Sequence, residues 1–284
     1  MAVTVSNFEL LFKQQAPAAP ADLQNVQTVL QGYFLELTNL ADTDYEYRLE
    51  FVIAAPPPGT TDRQLRSLAG NAVAFVDSAG RDNRRQPFGG DVADTSFTLP
   101  TGNVRVPAGG TALVAVLPAA FGSDDPLAPS PNAAPAFEVR GYVRISLPSL
   151  LETGSGSDVG RLPPIRIRAQ SDEPVPVLLT PQNRATYIAA DGTIANQTQA
   201  SLPLAGGQGT VDVPPGSVFP LDLEPGTAQE RLTRANEMLT ATPEELRPAL
   251  LATLLAEARA GGFGSLDALN RRLEDLGVDL SLAA

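Results

Sequence analysis

The chain contains no cysteine, no histidine and no tryptophan, and Lys13 is its only lysine. Without cysteine there is no disulfide, no thiolate nucleophile and no sulfur ligand for a metal. Disulfide-free chains are typical of the reducing cytosol, so we expect a cytoplasmic protein. The N-terminus MAVTVSNFELLFKQQ agrees, because it lacks the basic region and the long apolar run of a signal peptide.

The absence of histidine restricts the chemistry further. Histidine is the commonest general base and metal ligand, so Ser-His-Asp triads, Cys-His pairs and histidine zinc sites are excluded. A Ser/Lys dyad would depend on Lys13, which has no supporting motif around it. The 32 acidic residues include no pair that its spacing singles out as catalytic carboxylates. We therefore expect a non-enzymatic protein with no cofactor and no metal site.

Positive charge is also scarce, since the formal net charge is −12. Neutralising phosphates requires a concentrated basic surface, so we expect no nucleic-acid partner and no membrane partner. No apolar run approaches the length that spans a bilayer. Arginine almost completely replaces lysine, and alanine and proline are abundant, which indicates a GC-rich and bacterial genome.

Turn residues, in contrast, are plentiful: 26 prolines and 24 glycines recur between short apolar runs, as in proteins whose turns join many short strands. The run TDYEYRLEFVI alternates regularly, which predicts a half-buried strand. Its apolar face carries Tyr45, Tyr47, Leu49, Phe51 and Ile53. The charged side chains Glu46, Arg48 and Glu50 lie on the other face. We predict that the preceding run GYFLELTN pairs with it as a hairpin, because NLADTD between them favours a turn.

The spacing of the predicted strands is that of an antiparallel β-sandwich over residues 1–202. Within it, the pattern VPAGGTALVAVLP resembles the immunoglobulin-like sandwich architecture, a resemblance of fold only that carries no functional residues. Asp191-Gly192 lies between two β-like runs and is a strong signal for a hairpin.

A Pro/Gly-rich linker is predicted at 203–226, followed by a helical tail at 227–284 that contains three helices. The tail is too small for a substantial core of its own, so its leucine stripes need a partner surface. That surface is either the sandwich of the same chain or another subunit, and the sequence leaves both open. The stripes include Leu246, Leu250, Leu254, Leu269 and Leu273.

One local basic cluster occurs in this acidic chain, in the loop GRDNRRQP. It is either a solvated loop tip or a docking point for acidic groups of a neighbouring subunit's tail. Its residues are Arg81, Arg84 and Arg85.

These observations favour a structural or assembly protein, a β-sandwich subunit that forms a homo-oligomer or docks to a protein partner through its helical tail or a sheet edge. A viral or phage coat component would fit the same pattern. The main alternative is a ligand-binding β-sandwich for a carbohydrate or a protein segment. An enzyme of unrecognised type is the third class, which the missing catalytic residue types disfavour.

Overall fold

A computed structural model of the chain describes residues 2–14, 27–54, 66–78, 85–119, 136–153, 165–189, 191–216, 222–223 and 237. The described residues form fifteen strands. In chain order these are β1 (Val3–Gln14), β2 (Thr28–Asn39), β3 (Tyr45–Ile53), β4 (Ala72–Asp77), β5 (Gln86–Pro87), β6 (Ser96–Thr98), β7 (Val104–Val106), β8 (Thr111–Pro118), β9 (Ala136–Ser146), β10 (Leu150–Thr153), β11 (Ile165–Arg168), β12 (Val175–Ile188), β13 (Ile194–Ser201), β14 (Thr210–Val213) and β15 (Asp222–Leu223).

The chain divides into two compact units, one formed by Met1–Pro148 with Ala169–Ser217 and the other by Ser149–Arg168 with Val218–Ala284. The first contains a 12-stranded antiparallel sheet that curls into a half-barrel. The second contains three antiparallel strands in the order β10, β11, β15. The prediction of a mainly β protein is therefore confirmed.

The predicted linker and tail meet the described residues only in part. β14 lies within residues 203–226 and pairs with β12, with Val213 fully buried. Of the predicted helical tail, Glu237 alone is described. The three predicted helices and their leucine stripes thus lie outside the described residues.

The 12-stranded sheet has two halves. We call β1, β3, β6, β7 and β9 the first half, and the remaining seven strands the second half. They join where β1 pairs with β2, with Leu11 opposite Gln31 and Gln14 opposite Thr28. The other edge of β1 pairs with β9 from Val3 to Lys13. β2 pairs with β12 along its whole length and with β8 from Tyr33 to Thr38.

Both halves contribute to one hydrophobic core. Its centre is a chain of edge-to-face aromatic rings, a geometry that the ring quadrupoles favour. The Phe8 and Phe51 centroids of the first half lie 5.4 Å apart, and Tyr33 of the second half lies 6.0 Å from Phe51. Phe88 and Phe97 continue the chain.

The predicted core face of β3 is confirmed. Tyr47, Leu49, Phe51 and Ile53 are buried, while Tyr45 at the start of the strand is half-buried. On the opposite face the predicted charged side chains are exposed or half-buried. Local alternation therefore identified the buried surface of this strand as the protein's own core.

The predicted hairpin between β2 and β3 is wrong. β3 pairs with β9, β6 and β7, and none of its pairs involves β2. The connection at residues 40–44 instead carries the chain from the second half of the sheet to the first. A short loop with turn residues allows a hairpin but does not require one, because it can equally cross between the two halves.

Asn39, the last residue of β2, holds this crossing in place. Its side chain is fully buried. Its Oδ1 accepts hydrogen bonds from the N–H of Ala41 (3.1 Å) and the hydroxyl of Tyr47 (3.2 Å). Its Nδ2 donates to three backbone carbonyls, those of Thr43 (2.7 Å), Val106 (3.2 Å) and Pro107 (3.2 Å). One amide thus bonds polar groups of the 40–44 connection, of β3, and of the end of β7 with the residue after it.

The hairpin predicted at Asp191-Gly192 is confirmed, since β12 and β13 pair antiparallel on either side of it. The turn is longer than two residues. The N–H of Ala189 donates to the carbonyl of Thr193 (2.8 Å), and the N–H of Gly192 donates to the carbonyl of Ala189 (2.9 Å). Gly192 has a φ of 83°, a conformation that glycine adopts without steric cost.

We predict that Asn39→Ala lowers the free energy of unfolding by about 3 kcal/mol, because it removes the bonds that Asn39 makes in the buried interior to the Val106 carbonyl and the Tyr47 hydroxyl. Urea denaturation measures the change. Asn103→Ala is the matched control, since Asn103 bonds an exposed carboxylate, and should change stability by about 0.5 kcal/mol or less. Equal effects of the two substitutions would contradict the assigned role of Asn39.

Candidate functional site

Of the predicted interaction residues, Arg85 alone is described. It is exposed and directly precedes β5. Arg81, Arg84, Leu246, Leu250, Leu254, Leu269 and Leu273 lie outside the described residues. Docking of the arginine loop on an acidic tail therefore stays a prediction. Among the described residues, the candidate interaction surface is a sheet edge.

Five strands of the 12-stranded sheet pair on one edge only, within the part of the chain that the structure describes. Four of them are short: β5 has two residues, one of them proline, β6 and β7 have three each, and β14 has four. Short strands and proline are the usual protection of a sheet edge against pairing with another chain. β13, with eight residues, is the exception.

All eight residues of β13 are exposed, on both faces of the strand. Its one large apolar side chain, Ile194, is 63% exposed. The strand IANQTQAS contains no charged residue and no proline, although the chain carries a net charge of −12. Charged side chains commonly prevent pairing at a sheet edge, and β13 has none.

The hydrogen-bond pattern shows which backbone groups of β13 face away from β12. The N–H of Leu202 donates to the carbonyl of Pro181 (2.9 Å), in the register that places residues 182–187 opposite 201–196. Bonded pairs alternate along an antiparallel ladder, so the even-numbered residues of β13 direct their N–H and C=O groups at β12. The opposite edge is formed by the backbone groups of Gln197, Gln199 and Ser201, of which the Gln197 N–H donates to the Oδ1 of Asn196 (2.8 Å).

Side chains on one face fasten β13 to β12. The Gln199 Nε2 donates to the Oε1 of Gln182 (2.8 Å), which also accepts from the Arg184 guanidinium (3.2 Å to Nη2). That guanidinium lies 4.4 Å from the centre of the Phe34 ring, a cation–π distance. Because Gln182 is buried in β12, its hydrogen bond with Gln199 anchors β13 to β12.

A second polar surface lies on the outer face of the first half, where charged side chains of β1, β3 and β9 alternate in sign. It is internally compensated. Arg140 pairs with Glu9 and, at 2.7 Å, with Glu138; Arg144 pairs with Glu50 at 2.7 Å. Lys13 also pairs with Glu138.

The pKa values of Glu138 and Glu50 are lowered. The hydrogen bond from Lys13 is the main cause of the lowered pKa of Glu138. Desolvation opposes ionisation of Glu50, but hydrogen bonds from Ser96 and Arg144 outweigh it, so its pKa also lies below the ordinary value. Carboxylates held ionised in this way are unsuited to donate a proton near neutral pH. The described contacts of this surface are ion pairs that join β1, β3 and β9.

Other chemistry is not assembled among the described residues. They contain no group of three or more acidic side chains that could hold a metal ion. Within the same ranges, no helix is long and apolar enough to cross a membrane. Neither a protein-family model nor a curated protein matches this chain.

Sequence reasoning predicted the β12–β13 hairpin but missed that its second strand is an edge. A signal was present, because residues 195–201 (ANQTQAS) contain no large apolar side chain and so have no face to bury. A strand without an apolar face is expected at the boundary of a sheet.

We predict that the outer-face ion pairs make the protein acid-sensitive. Glu138 has a lower pKa folded than its ordinary 4.5, so its contribution to stability is present above that value and is lost as the pH falls through the folded pKa. Urea midpoints should therefore fall less between about pH 5 and pH 3 in Glu138→Gln than in the natural chain. Lys13→Met should flatten the profile partly, since Arg140 remains. Parallel profiles for all three proteins would contradict the assignment.

Proposed function

We propose that the protein is a non-enzymatic structural or assembly subunit, which associates with another copy or with a protein partner through the free edge of β13 or through its helical tail. The observation that supports this most directly is β13 itself: eight exposed, uncharged residues at the end of a sheet whose other terminal strands are short. Edges of this kind add a strand from another chain.

The chemistry of association is that of the backbone. Gln197, Gln199 and Ser201 each present an N–H and a C=O on the outer edge of β13, and the Gln197 N–H donates there to the Oδ1 of Asn196 (2.8 Å). A partner strand would bond these backbone groups with aligned hydrogen bonds. Side chains without charge add no repulsion. The adjoining ladder with β12 keeps the strand extended, so little conformational entropy is lost on binding.

The proposal extends to the finer architecture, an immunoglobulin-like antiparallel β-sandwich followed by a three-helix module. The shared core between the two halves of the sheet supports the sandwich, and the leucine spacing of residues 227–284 supports the helices. The cytoplasmic location, the homo-oligomer and the absence of nucleic-acid and membrane partners belong to the same proposal.

A second candidate function is ligand binding by the same fold. The unpaired backbone groups of β13 favour a protein segment over a carbohydrate, because an extended peptide carries the complementary N–H and C=O groups at the spacing of a strand. Under this alternative the protein would be monomeric alone and would bind a partner peptide at β13.

We predict that Gln199→Pro abolishes association through the edge. Proline removes the outward N–H at this position and leaves the ladder with β12 intact, because residue 199 does not donate to β12. Native mass measured against concentration should show a species above the 29.7 kDa monomer for the natural chain and monomer alone for the variant. Gln199→Ala, which keeps the N–H, is the matched control and should associate normally.

The tail is tested separately in the full-length protein by Leu250→Glu with Leu254→Glu. Loss of the oligomer in this variant, with Gln199→Pro unaffected, would place the association in the tail and not at β13. A natural chain that stays monomeric at about millimolar concentration, and that binds no extended peptide, would overturn the assembly proposal.

A further inference from the structure

We infer that the partner of β13 is β13 of a second copy, paired antiparallel about a two-fold axis at Gln199, so that the sheets of two copies become continuous. The inference rests on the proposed function and names the partner, the direction and the register. It follows from three observations: which backbone groups face outward, which side chains flank them, and how the chain is charged.

The backbone groups determine the register. An axis at Gln199 places it opposite its own copy and Gln197 opposite Ser201, which uses all three outward-facing residues. About six N–H···O=C bonds form, and in two of them the Gln197 N–H exchanges its bond to the Asn196 Oδ1 for one to the partner strand. Moving the axis to Thr198 brings Ser201 opposite Ala195, at the register shift beside Tyr187. Moving it to Ala200 brings Gln197 opposite Pro203, which has no N–H. Each alternative retains only two full pairs. An axis midway between two residues would place residues whose backbone groups face away from β12 opposite residues whose backbone groups bond to β12.

The side chains favour a copy of the same strand. Two-fold pairing places every side chain against one from an identical strand, so a charged residue at the axis would meet its own charge. β13 has no charged residue, and the pairs it would form are Gln with Gln, Gln with Ser and Thr with Ala. A strand selected for an acidic or basic partner would carry the complementary charge.

The net charge adds a condition. Two copies that each carry −12 repel one another at long range, whereas the pairing itself is uncharged. Association through β13 should therefore become stronger as salt is added, because screening weakens the repulsion and leaves the backbone hydrogen bonds. Association through opposite charges, such as the arginine loop with an acidic tail, should become weaker.

The test uses the absence of cysteine, which makes any introduced thiol unique. In the inferred register, Gln199→Cys places two thiols on directly opposed residues, with Cα atoms about 5.5 Å apart, a separation that a disulfide spans. Gln197→Cys is the matched control: the same residue type on the same face of the same strand. Its two copies would lie four residues out of register, about 13 Å along the strands.

We expect Gln199→Cys to form the disulfide-linked dimer at least about tenfold faster than Gln197→Cys under mild oxidation. A mixture of Gln197→Cys and Ser201→Cys should give the heterodimer. In denaturing urea the two single variants should react at the same rate. Native mass of the reduced proteins is measured in parallel.

The outcomes separate the inference from the function on which it rests. Equal rates for the two variants under native conditions would overturn the register. An oligomer by native mass without cross-linking at Gln199→Cys would overturn self-pairing at β13 and leave assembly in place. A reduced protein that is monomeric throughout and does not cross-link would overturn both.

Discussion

The buried amide of Asn39 is the constraint on which the rest of the sheet depends. β2 and β3 follow each other within a few residues, yet they belong to different halves of the sheet. Asn39 makes this crossing stable by bonding backbone carbonyls before β3 and after β7 together with the Tyr47 hydroxyl. A hydrophobic residue in its place would remove the buried bonds to the Val106 carbonyl and the Tyr47 hydroxyl. With the crossing fixed, Tyr33 and Phe51 meet across a shared core.

The free edge follows from the same arrangement. β3 pairs with strands of the first half, and β2 pairs along its whole length with β12. The β12–β13 hairpin then places β13 on the other edge of β12. No described strand lies outside β13, so none of the described strands pairs with its outward backbone groups. The charges of the first half are already compensated among themselves. The described surface thus offers a partner a row of hydrogen-bonding groups at β13.

Local features of this fold could be predicted from the sequence, whereas strand partners could not. Alternation identified the buried face of β3, and Asp191-Gly192 located a hairpin, because both depend on neighbouring residues only. The pairing of β2 with β12 depends on residues far apart in the chain, and turn chemistry wrongly favoured β3. Asn39 resembled a turn residue, although its role is that of a buried donor. The edge at β13 had a local signal, the lack of a large apolar side chain in residues 195–201, but its pairing partner follows from strand order. Of the predicted interaction residues only Arg85 is described.

Amide hydrogen exchange followed by NMR across a range of protein concentrations tests the account most directly. The amides of Asn196, Thr198 and Ala200 should exchange slowly at every concentration, because they bond to β12. Those of Gln199 and Ser201, which face away from β12, should exchange fast in dilute protein and slow down as the concentration rises and the edge becomes paired. Exchange at these two amides that does not change with concentration, in a protein that associates, would contradict the claim that β13 is the association edge.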